Sequence, residues 1–64
     1  MVTTICYGKK DVWPTRQKAM DFFWEGMLAC LGSSEGERYG RIYSRLAAGA
    51  DIATDEDVFN RKEN

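Results

Sequence analysis

The chain predicts an α+β fold in which a small two- or three-stranded sheet is covered on one face by an antiparallel helix pair. Three features carry that prediction. The N-terminus, residues 2–7, is β-branched and alternating. Two helical patterns, 15–31 and 35–48, are joined by the corner Gly32-Ser33-Ser34. A short apolar return, 50–54, follows the helix-ending Gly49. Sixty-four residues, 44% hydrophobic and 30% charged, make one domain near the lower limit for a single apolar core. The expected domain is 1–54, with 55–64 as a flexible, solvated acidic tail whose apolar handle is Val58 and Phe59.

Taken in order, residues 2–7 place Thr3, Ile5 and Tyr7 on one face and Val2, Thr4 and Cys6 on the other. Gly8-Lys9-Lys10 reads as a turn and 11–13 as a returning strand, which Pro14 stops because it has no N–H to donate. Thr15 is the expected N-cap of the first helix. Along that helix Ala19, Met20, Phe23, Trp24, Met27, Leu28, Cys30 and Leu31 fill about half the circumference, opposite Lys18, Asp21 and Glu25. Gly26 lies inside it, at about 1 kcal/mol against alanine, and implies that another backbone comes close. Gly32 is the expected left-handed cap.

Ser34 and Glu37 match a capping box, and Glu35 and Glu37 suit the positive end of the second helix. Tyr39, Ile42, Tyr43 and Leu46 follow the i, i+3, i+4, i+7 template, and Gly49 closes the element. The third strand is expected at 51–54. The predicted core is Ile5, Trp13, Met20, Phe23, Trp24, Met27, Leu31, Tyr39, Ile42, Tyr43, Leu46 and Ile52.

Several chemistries find no footing. The chain has no histidine, which removes the commonest general base and the commonest metal ligand. Cys6 and Cys30 cannot form a structural zinc site alone, and buried thiols are the expectation over a disulfide. Asp51, Asp55 and Asp57 lack the glycine and distal glutamate of a calcium loop, and no phosphate-binding glycine pattern occurs. Asp21 and Glu25, one turn apart, read as a solvated helix face rather than an acid/base pair. The expectation is therefore no enzyme and no cofactor or metal. With a net charge of −1 and no long apolar run or export signal, the expected setting is the cytoplasm, without membrane contact.

Two surface features remain. Arg38, Arg41 and Arg45 fall within about 60° of arc on the second helix, a ridge suited to phosphates or to a partner's carboxylates. The plainer reading is a solvated face, with stems packed, heads in water and Glu37 paired to Arg41. Phe22 falls among polar positions, off the apolar stripe, and is the aromatic expected at the surface. Tyr39 and Tyr43 have the spacing to stack on bases, but aromatics at helical spacing are more often core.

The segments Tyr7-Gly8-Lys9-Lys10-Asp11-Val12-Trp13-Pro14-Thr15, Phe23-Trp24-Glu25-Gly26-Met27 and Ser34-Glu35-Gly36-Glu37-Arg38-Tyr39, then Ile42-Tyr43, carry a resemblance covering roughly residues 5–56. They resemble a group of small uncharacterised proteins of gut Gram-positive bacteria, often encoded on conjugative or other mobile elements. The resemblance implies an accessory role on such an element and brings no catalytic or binding residues with it. The expected function is thus a small non-enzymatic protein-interaction or accessory module, with a protein partner or a second copy meeting Arg38, Arg41, Arg45 and Phe22. The alternative is a small nucleic-acid-binding regulator using the arginine ridge, because a helix, a glycine corner and an arginine-bearing helix also fit a helix-turn-helix reading. The acidic balance, the long first helix and the missing third helix weigh against it.

Overall fold

Residue 7 starts a tight reversal, and the rest of the sheet follows from it. Tyr7 and Gly8 both take positive φ, 54° and 79°. Such a pair closes a two-residue hairpin whose twist matches that of its strands. The computed structural model describes residues 1–56 and contains β1 (Val2–Cys6), β2 (Lys9–Trp13), α1 (Arg16–Ala29), α2 (Ser34–Ala47) and β3 (Ile52–Thr54). The sheet order is β2-β1-β3, with β1 antiparallel to β2 and parallel to β3. The two helices pack on each other and on one sheet face, so the chain is an α+β fold as expected. No helix among the described residues is long and apolar enough to cross a membrane.

Register decides which face is inside. Val2, Thr4 and Cys6 of β1 lie beside Trp13, Asp11 and Lys9 of β2, and Thr4 lies beside Ala53 of β3. Val2, Thr4 and Ala53 are buried beneath the helices with Ala19, Phe23, Ile42 and Leu46. Cys6, Trp13, Met20, Tyr39 and Tyr43 pack around that cluster, half-buried. Thr4 is satisfied there, because its Oγ1 accepts the Trp13 Nε1 proton at 2.9 Å. A bonded hydroxyl costs little to bury, so the polar set of β1 can be the inner one.

That phase corrects two expected core members. Ile5 and Ile52 belong to the uncovered face, where Ile5 is half-buried and Ile52 is 67% exposed. In α1 the stripe is narrower than expected. Trp24 is 44% exposed and Leu31 is 70% exposed, the latter because the helix ends at Ala29 and Leu31 leaves its periodicity.

The caps are partly as expected. Thr15 accepts the Lys18 N–H at 3.2 Å, and Gly49, at φ 107°, closes α2. There the Gly49 N–H reaches the Leu46 carbonyl and the Ala50 N–H that of Arg45, pairing two carbonyls that the helix end would strand. At the start of α2 the cap is Ser33 rather than Ser34. Ser33 Oγ accepts the Gly36 N–H at 3.2 Å and donates to the Cys30 carbonyl at 2.7 Å, so one hydroxyl serves both sides of the corner. The first helix stops earlier than expected too, capped by Cys30, with Gly32 (φ 85°) in the turn beyond it. Gly26 faces the Tyr39 ring rather than a backbone, since a Cβ there would sit 2.8 Å from a ring carbon.

Candidate functional site

The three arginines of α2 stand along the flank that faces the end of β3, and their heads are not left in water. Arg38 Nη1 donates to Asp55 Oδ2 at 2.9 Å, and its guanidinium lies over the Tyr7 ring, 4.6 Å from the centroid. Arg41 Nη1 donates to the Asp55 carbonyl at 3.1 Å, a different partner from the expected Glu37. Arg45 Nη1 donates to the carbonyls of Thr54 and Glu56 at 2.5 and 2.6 Å. A fourth arginine extends the pattern to the other end of β3. Arg16 Nη1 donates to the Leu46 and Ala50 carbonyls, and its Nη2 meets Asp51 at 2.9 Å. Arginine suits this work because its fixed fork meets several acceptors at once.

Asp55 is the centre of that arrangement and departs most from expectation. Placed in a solvated tail by its charge, it is 2% exposed. Its Oδ2 accepts the Tyr7 N–H at 2.9 Å as well as Arg38, and its own N–H donates to the Ile5 carbonyl. Burial pushes its pKa up, but the Tyr7 N–H and the Arg38 guanidinium outweigh that and hold it below the usual carboxylate value. The remainder of the expected tail, 57–64 with Val58 and Phe59, lies outside the described residues.

Phe22 sits where the sequence puts it, at the surface, 53% exposed. It is not isolated. Its ring is 5.2 Å from that of Trp13 and 5.0 Å from that of Phe23, and Phe23 in turn is 5.7 Å from Tyr39. These tilted and edge-on contacts are the favoured geometries for aromatic pairs. They line one side of an open groove of about 250 Å³ between α1, the start of α2 and the hairpin. Phe22, Phe23 and Tyr39 form the helix wall, Cys6 and Tyr7 the strand wall, and Lys9 and Asp11 the rim. Lys9 Nζ and Asp11 Oδ1 approach to 4.0 Å there, both well exposed.

The groove therefore gathers Phe22 and, through Tyr7, the neighbourhood of Arg38. Arg41 and Arg45 lie further along α2 toward the end of β3 and do not line it. Tyr7 and Tyr39 were not singled out as surface groups, one being read as a strand residue and the other as core. Their convergence depends on how α2 crosses the hairpin, which no local pattern encodes.

Burial first, and the Asp55 carboxylate second, push the Cys6 thiol above its usual value, which keeps it protonated and poorly nucleophilic. Burial likewise pushes the Tyr39 phenol up. Cys6 and Cys30 are both free thiols, and among the described residues no group of three or more cysteine and acidic side chains is placed to hold a metal ion. Set against protein-family models, curated proteins and solved structures, the chain matches none, so the resemblance to small mobile-element proteins rests on its own segments alone.

Proposed function

We propose that this chain is a small non-enzymatic protein-interaction module whose docking surface is the aromatic groove beside the hairpin. One observation carries the reading: a half-exposed phenylalanine, ringed by other aromatics, forms the mouth of an open groove of about 250 Å³. Aromatic anchors in a concave setting with a charged rim are the composition of interaction hot spots, and the volume suits one large apolar side chain. The absence of histidine and the raised Cys6 thiol favour binding over catalysis. The accessory role implied by the resemblance is compatible with such a surface.

The nucleic-acid reading has less to draw on. Arg38, Arg41 and Arg45 already donate to Asp55, Thr54 and Glu56 of the same chain, so phosphates would have to compete with internal acceptors.

The test is affinity capture from the native host with wild-type protein and with Phe22→Ala, identifying partners by mass spectrometry. Phe22→Ala is expected to melt within a few degrees of wild type and to lose the captured partner. Retention of every partner by a folded Phe22→Ala variant would remove the groove from consideration. Capture dominated by nucleic acid, and fading steeply as salt rises, would favour the arginine reading instead.

A further inference from the structure

Among the described residues β2 is an edge strand beside the groove, and its hydrogen-bonding phase can be read from the hairpin. The two-residue turn makes Cys6 and Lys9 the first bonded pair, so Lys9, Asp11 and Trp13 direct their backbone groups toward β1. The other side of β1 agrees, because Thr3 and Ile5 are the residues that bond across to the β3 side. The N–H and C=O groups of Lys10 and Val12 therefore point outward, away from the sheet. Both side chains are exposed, and both stand on the uncovered face.

From this placement we infer that the occupant of the groove is an extended, acidic–apolar peptide of another protein, added antiparallel to β2 as a fourth strand. The inference rests on the groove reading above and says how the partner is held. Main-chain bonds come from Lys10 and Val12, as in other cases of strand addition. The incoming residue opposite Asp11 has its side chain on the helix-covered face, where Phe22 and Trp13 stand. That position takes a large apolar side chain. Residues opposite Lys9 and Lys10 meet exposed ammonium groups and are acidic, and the one opposite Val12 is β-branched. A second copy fits poorly. Pairing β2 with itself so that Lys10 meets Val12 sets Asp11 against Asp11, and directly opposed like charges destabilise a ladder.

The probe is the blocked peptide acetyl-Thr-Val-Phe-Glu-Glu-amide, whose residues lie in turn opposite Trp13, Val12, Asp11, Lys10 and Lys9. Titration against the full chain by NMR is expected to show binding and new exchange protection at the Lys10 and Val12 amides. N-methylation of the peptide's valine or of its first glutamate removes an inward donor and is expected to weaken binding by about tenfold. N-methylation of its phenylalanine, whose N–H faces outward, is expected to leave binding within about twofold. Equal sensitivity at all three positions, or no binding at millimolar peptide, overturns the inference. Equal sensitivity together with loss on Phe22→Ala removes strand addition but leaves the groove reading standing. The expected N-methyl pattern with an unaffected Phe22→Ala variant upholds strand addition and removes the groove.

Discussion

The two helices have equal length and different economies of apolar surface. α2 keeps Ile42 and Leu46 inside and presents Glu35, Glu37 and Ser44 outward, with arginines along one flank. α1 buries Ala19 and Phe23 yet also turns Phe22, Trp24 and Leu28 to solvent. A helix apolar on several sides is ordinarily surrounded, and the described residues leave Phe22, Trp24 and Leu28 of α1 about half exposed. The contrast assigns roles. α2 is a structural brace that also fastens β3, whereas α1 offers surface beyond what the fold consumes.

The largest expected effect tests the division within α1 itself. Phe23→Ala should cost about 3–5 kcal/mol, which a domain of this size cannot absorb. Trp24→Ala, which removes an outward ring tilted against Tyr43 at 5.2 Å, should cost about 1 kcal/mol. Denaturant melts of the pair would collapse the contrast if both variants lost the same stability.

Next comes the fastening on the α2 side. Asp55→Ala removes an acceptor shared by the Tyr7 N–H and Arg38 and should cost about 2–3 kcal/mol. The pH dependence has a definite sign. Because the folded carboxyl lies below its unfolded value, its contribution is complete above about pH 4 and is lost as pH falls through the lower folded value. The stability gap between wild type and Asp55→Asn should therefore shrink on acidification. A gap that stayed constant from neutral pH to pH 2 would mean that the carboxylate charge contributes nothing.

The smallest effect separates neighbouring serines at the helix corner. Ser33→Ala should cost about 1 kcal/mol through loss of the cap, and Ser34→Ala only a few tenths. Reversal of that order in thermal melts would return the cap to Ser34.

Much of this architecture was legible in the residues, for reasons visible at particular positions. Hairpin, helix pair and returning strand follow from Gly8, Pro14, Thr15, the glycine corner and Gly49, which act locally. The turn falls at Tyr7-Gly8 rather than at Gly8-Lys9-Lys10, however, so Lys9 and Lys10 belong to β2 and Tyr7 leaves β1. Strand phase was not, because β1 offers an apolar residue on each side and the deciding contact, Trp13 to Thr4, crosses the sheet. The cap was misplaced by one residue because Ser33 and Ser34 are chemically equal and the S-x-x-E pattern favoured the wrong one. Phe22 was recoverable from its angle on the helix. The order of the arginines was visible too, but most of their acceptors are backbone carbonyls at residues 54–56, which leave no side-chain signature. Asp55 is hidden for a different reason, its charge arguing for solvent when its partners Tyr7 and Arg38 lie far off in sequence.

The bond between the Tyr7 N–H and Asp55 spans 48 residues, and β3 completes its sheet against β1. During synthesis β1 and its hairpin precede β3 and must wait, with one edge unpaired, until it is made. Closure over so long a separation is slow relative to helix formation, because its loop entropy is lost before any contact compensates. Until then the edge of β1 that pairs with β3 stays open, and a chain truncated before residue 55 would keep its hairpin and two helices without the clasp that joins β1 to β3.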